Sequence, residues 1–190
     1  MPTRPQNSAE VRERLLQAAV ELIPRRGWGS VSTRMIAEQA GVTPGLVHYH
    51  FGSVQALLSE AALGTIRALV EGIPALLHDA RSTGELLNTL FGALDSYQGT
   101  DPVSLLFSET YLAAGRDQKL RADLSAVVTD FREQLATLLA ERGVADSAGT
   151  AAVLTAAIDG IVLHRALGLT IASATVTSVL GRALASNNHH

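Results

Sequence analysis

Apolar residues recur three or four positions apart along most of this chain, and sustained alternation with period two is absent, so the pattern predicts helices throughout. Val11, Leu15, Ala18, Ala19 and Leu22 make the apolar face of a first helix. Asn7 and Glu10 stand in the relation of a capping box at its start, and Pro24 and Gly27 mark its end. Two short helical segments follow, around Gly41. A longer helix carrying Leu57, Leu58, Ala61, Leu69 and Val70 is then expected to run to about 72–74. Beyond it the pattern predicts a short helix over 74–80, one over 85–97, and one opening at Asp101-Pro102 with Leu105, Leu106, Phe107, Tyr111 and Leu112. A long helix follows from Asp117 to about Gly143, and the last two span about 146–168 and 174–185. The fold class is all-α, with about nine or ten helices in all.

The segment 32–51 is the most informative. Ser32 suits the N-cap of one helix, with Val31 and Ile36 at the positions of a hydrophobic staple. Thr43 suits the cap of the next, with Pro44 in its first position and Val42 able to staple onto Val47. Ala37, Gly41 and Val47 fall where the two helices must touch: a small residue, a turn glycine and an aliphatic filler. Two capped helices of about two turns joined by a tight turn have the helix-turn-helix layout, which places a helix in the major groove of DNA.

Charge adds modest support. The net charge is −3, but six arginines oppose four glutamates in residues 1–50, a net of +2, which leaves −5 for the rest. A basic head on an acidic body suits contact with phosphate. Cysteine is absent, which excludes disulfides and thiolate metal sites and agrees with a cytoplasmic location. The most apolar window, 151–163, is shorter than a membrane span and contains Asp159, so no membrane partner is expected.

Gly27-Trp28 after the first helix, then residues Ser32 to Ser53, then Leu57-Leu58, resemble the N-terminal domain of TetR-family transcriptional regulators over about residues 7–60. The resemblance implies a DNA-binding domain at 1–52, a ligand-binding and dimerisation domain at 53–186, and a tail at 187–190 outside the function. It implies base contact by Arg34, a side chain suited to guanine O6 and N7. Pro44, Gly45 and Leu46 would face base edges with apolar contact only. Thr43, His48 and His50 would meet phosphate, with Tyr49, Thr33 and Ser32 beside them. Two positions depart from the family. His48 stands where Tyr is usual, and Val54 stands where a phosphate-gripping Lys is usual. His48 and His50 could substitute for that cation in part, more so when protonated.

Competing chemistries were weighed against this. His48 and His50 lie about 200° apart around a helix and cannot chelate one ion. No catalytic signature stands out, so no catalytic residue, metal or cofactor is assigned. Polar or aromatic groups at Arg67, Tyr97, Phe107, Glu109, Tyr111, Asp159 and His164 interrupt apolar stretches and are candidates for an effector pocket. Small residues on the last two long helices (Ala151, Ala152, Ala156, Ala157, Gly160, then Ala172, Ala174 and Ala183) permit close helix packing, and by the resemblance this implies a homodimer. The expected protein is a dimeric repressor of a palindromic double-stranded operator, released by a small, largely apolar effector. The alternatives are a helical ligand-binding or enzymatic protein that keeps the head as a scaffold, and an activator or ligand-independent regulator.

Overall fold

A computed structural model describes residues 8–187, with side chains through residue 184. The expected Asn7 cap and residues 1–6 and 188–190 lie outside the described residues. Nine α-helices and two short 3-10 turns make up the described chain, and no strand occurs in it. The helices are α1 (Ser8–Arg26), α2 (Thr33–Ala40), α3 (Gly45–Phe51), α4 (Val54–Leu77), α5 (Thr83–Ala93), α6 (Pro102–Ala114), α7 (Gln118–Ala140), α8 (Ser147–Ala166) and α9 (Ser173–Asn187). Two compact units divide them. One holds residues up to Ile66 together with Leu105–Leu124, and the other holds Arg67–Ser104 together with residues from Ser125 onward.

In the first unit the apolar face read from the sequence of α1 is the buried one: Val11, Leu15, Ala18, Ala19 and Leu22, with Ile23 added. Polar ties reinforce this packing. The Gln39 side-chain amide of α2 donates to the Glu21 carboxylate of α1 at 2.7 Å, and Gln17 donates to the same carboxylate at 3.1 Å. Those two bonds hold the Glu21 carboxyl below the usual carboxylate range.

The second unit is built around Leu77, Leu86, Leu87, Leu90, Phe91, Phe131, Leu135, Leu139 and Leu154. Here two expectations are corrected. The helix expected to stop at 72–74 runs on as α4 to Leu77 with Pro74 inside it, so no separate helix occupies 74–80. Proline removes one backbone donor, a cost of about 3 kcal/mol in a helix interior. Burial offsets it: Leu77 has no exposed surface. The Arg142 guanidinium also donates to the Leu77 carbonyl at the end of α4 at 3.3 Å and to the Ala80 carbonyl in the turn after it at 2.6 Å. The helix expected at 85–97 is instead α5, which starts two residues earlier and closes in a 3-10 turn at Leu94–Ser96. Ser82 caps it, accepting the Glu85 N–H at 3.2 Å.

Aspartates cap three further helices. Asp101 accepts the N–H groups of Val103 and Ser104 at 3.1 and 3.0 Å at the start of α6. Asp117 accepts the Leu120 N–H, and Asp146 the Gly149 N–H. Burial acts to raise the Asp101 carboxyl, but the bonds it accepts from Ser104 and Gln98 outweigh it and leave the group below its ordinary value.

A buried arginine organises the end of α8. Arg165, 9 % exposed, donates to the carbonyls of Leu94 and Tyr97 and to the Asp95 carboxylate, which also accepts from the Ser173 hydroxyl at 2.8 Å. Gly99, at φ 80°, lets this segment close on α8. A Cβ there would sit 2.3 Å from the Ala166 nitrogen, a collision with backbone that cannot rotate away. Gly99→Ala should therefore lower stability by about 2 kcal/mol or more, read as a reduced urea midpoint. An unchanged midpoint would contradict the tight approach.

Candidate nucleic-acid interface

The interface starts from two helices too short to persist alone, eight residues in α2 and seven in α3. Ser32 accepts the Met35 N–H at 3.3 Å, as its cap position requires. At the other end of α2, Gly41 takes φ 65° and ψ 40°. The Val42 N–H returns to the Ala37 carbonyl at 2.9 Å and the Gly41 N–H to Glu38 at 3.2 Å, the paired bonds of a Schellman closure. The inner faces are dry: Ile36 and Val47 have no exposed surface, and Ala37 has 1 %.

One expected cap differs. Thr43 takes part through its carbonyl rather than its hydroxyl, accepting the Leu46 N–H at 3.1 Å. Pro44, in right-handed helical geometry at φ −57°, flanks α3 without a side-chain cap, and α3 begins at Gly45. Proline's fixed φ starts the turn one residue before the hydrogen-bonded helix does.

Turning the apolar sides inward leaves the named residues outward. Ser32, Arg34, Thr43, Pro44, Gly45, His48 and Tyr49 are exposed, while Thr33, Leu46 and His50 are half-buried. Tyr49 is 78 % exposed, with its ring edge-on to His50 at 5.0 Å. An aromatic ring left so open has no packing duty in this unit. The His48 ring folds back instead, its Nδ1 3.2 Å from the Gly52 carbonyl oxygen. After Gly52, Ser53 caps α4 by accepting the Ala56 N–H at 3.1 Å, and Val54 puts no charge at the head of that helix.

Several supports were not visible in the sequence. The Arg12 guanidinium lies 4.9 Å from the centre of the Phe51 ring and pairs with Glu60, joining α1, α3 and α4. Both partners of that pair are well exposed, so its electrostatic contribution is small. Trp28 is buried. Its indole N–H donates to Gln55 at 2.9 Å and its backbone N–H to Glu109 at 2.7 Å. Glu109, noted in the sequence as a polar interruption, thus anchors the turn after α1. No periodicity announces such contacts, which join residues 27 and 81 positions apart.

The effector candidates divide between the two units. Phe107 and Tyr111 of α6 stack at 4.6 Å in the first unit. Arg67, Tyr97, Asp159 and His164 belong to the second, where Arg67 and His164 are exposed. The buried charged group near the end of α8 is Arg165, the neighbour of the residue singled out from sequence.

The profile of bacterial regulatory proteins of the tetR family matches residues 15–61, and that of the tetracyclin repressor-like C-terminal domain matches residues 64–186. The HTH-type transcriptional regulator BetI of Agrobacterium fabrum is 30 % identical over 158 residues, covering 82 % of this chain and 77 % of the relative. BetI of Brucella suis is 27 % identical over 174 residues, covering 86 % and 83 %. The solved structure of a TetR-family member from Streptomyces coelicolor A3 aligns with a TM-score of 0.71 at 31 % identity, over 90 % of this chain and 96 % of that one. These relatives are regulators, which sets the enzymatic alternative aside. With one of these profiles covering the helix-turn-helix and the other the helical remainder, the chain belongs to the TetR family of DNA-binding bacterial transcriptional regulators.

Proposed function

We propose that this regulator is a cytoplasmic homodimeric repressor that holds a palindromic operator through two copies of α3, set in successive major grooves about 34 Å apart. The observation that carries the reading is the division of the segment 32–51 into a dry inner face at Ile36, Ala37 and Val47 and an outer face bearing Arg34, Thr43 to Leu46 and Tyr49. The outer face of α3 holds little base-reading chemistry, since Pro44, Gly45 and Leu46 offer methylene and methyl contact alone. Sequence discrimination then falls to Arg34 on α2, whose guanidinium can pair with both guanine acceptors.

Dimerisation is supported by α8, α9 and the segment between them. Leu163, Leu167, Leu169 and Ile171 stay substantially exposed, with Leu167 at 75 %, and Val179 of α9 is half open. By length and composition α8 could also cross a membrane, and 28 % of its apolar window is buried in the single chain. A second copy of the same surface would cover these side chains and account for the small residues interleaved with them. A small, largely apolar effector bound in the helical body would move α4 and change the separation of the two heads. It can shift operator affinity by no more than its own preference between the two states.

Arg34→Ala should reduce the preference for a selected operator over mixed-sequence DNA by about 1–3 kcal/mol in competition binding, and an unchanged preference would remove its base-reading role. Val54→Lys should tighten binding to DNA of any sequence and steepen the dependence of log K on log salt by about 0.9 per added phosphate contact; an identical slope would refute the missing-cation argument. Leu167→Glu should convert the dimer to a folded monomer in sedimentation, whereas an intact dimer would place the interface elsewhere.

A further inference from the structure

The His48 imidazole is clasped by the residue that ends its helix. Its Nδ1 lies 3.2 Å from the Gly52 carbonyl oxygen, and the Gly52 N–H returns a 2.9 Å bond to the His48 carbonyl. A carbonyl oxygen accepts and never donates, so Nδ1 is the nitrogen that carries the proton in this contact. In the neutral ring Nε2 then holds a lone pair and no hydrogen. Phosphate oxygens are acceptors as well, so a neutral His48 held in this way meets the DNA backbone with a lone pair against a lone pair. Protonation reverses that meeting. It gives Nε2 a hydrogen to donate and the ring a positive charge, and it leaves the clasp intact because Nδ1 donates in both forms.

The surroundings make this proton conditional on DNA. Among the charged groups on the elements around α3, Arg34 and Glu38 lie on α2, Arg14 of α1 lies beside the Gly41 turn, Arg12 of α1 lies over Phe51 and pairs with Glu60 of α4, and Glu21 of α1 is held by Gln17 and Gln39. Neither His48 nor His50 forms an ion pair among the described residues. Position 54, at the head of α4, supplies no fixed cation. His50 differs in kind. Its ring rests against Tyr49 and Phe51 with no carbonyl fixing its tautomer, so it can offer an N–H to phosphate while neutral.

We propose that DNA binding by this protein takes up a proton at Nε2 of His48, so that affinity is set by pH across the range in which imidazole titrates. The inference rests on the DNA-facing role of α3 given above and deepens it. The sign follows from linkage: a group that gains a proton with its ligand binds that ligand more tightly as pH falls, and the gain levels off once the free protein is already protonated.

Fluorescence anisotropy with a labelled mixed-sequence duplex of roughly three helical turns, at low salt and from about pH 5.5 to about pH 8, tests it. The association constant of the unaltered protein should fall as pH rises, by up to about tenfold per pH unit for each protomer engaged. His48→Tyr presents a hydroxyl that donates throughout this range and should flatten the profile, which also separates the effect from the general rise in positive charge at low pH. His50→Gln should keep the slope, whatever it does to the affinity itself. A flat profile for the unaltered protein, or a slope that persists in His48→Tyr, overturns the proposal and leaves DNA binding standing. An absence of binding at every pH overturns the DNA-facing role and the inference with it.

Discussion

Helices of eight and seven residues do not hold themselves in water, so the recognition unit exists because its two helices bear directly on each other and on α1. The contact is sealed by Ile36, Ala37 and Val47, and the approach depends on a left-handed residue at Gly41 that turns the chain within two residues. A side chain with a Cβ at Gly41 would meet strain at that φ, and a larger residue at Ala37 would push the helices apart. Everything attributed to the outer face follows from this inner one. Because packing is complete on the inside, the side chains of Arg34 and Tyr49 stay exposed on the outer face. Trp28 extends the same logic, with its indole tied to Gln55 and its backbone to Glu109.

The second unit relies on a different device. Its apolar cluster is conventional, but two arginines finish the helix ends that the cluster leaves open. Arg142 donates to carbonyls at and just after the end of α4, and Arg165 to those following α5. Guanidinium groups suit the task because several donors in one rigid plane can satisfy neighbouring carbonyls together. Removing either would leave partly buried acceptors without these donors. Gly99 belongs to the same construction, since only a residue without a Cβ lets the segment after α5 lie against α8.

How far this was legible in the sequence depends on how local the cause is. Caps and terminators act within four residues, so Ser32, Asp101, Asp117, Asp146, Gly41 and Gly143 could be read from neighbouring residue types, as could the buried stripe of α1. Pro74 was misread because proline's local penalty was weighed without the distant burial of Leu77 and the donors of Arg142, which lie 65 and 62 positions from the carbonyls they reach. Thr43 was assigned a cap its carbonyl performs, an error of one residue at a helix start. The residues assigned to the outer face of the recognition unit came from the resemblance to the TetR family, since local pattern gave only the caps and the inner contacts. The clasp between His48 and Gly52 was not legible, since it depends on a side-chain rotamer. The effector candidates were the least legible, because an interruption in an apolar run does not say whether the group faces solvent, as His164 does, or a partner.

The claim that two such heads act together on one operator is tested most directly by selecting bound duplexes from random-sequence DNA with the purified protein. Two heads acting together should enrich an inverted repeat whose half-sites lie on one face of the duplex, about one helical turn, roughly 34 Å, apart. Enrichment of an unrepeated site, or no enrichment at all, would contradict it.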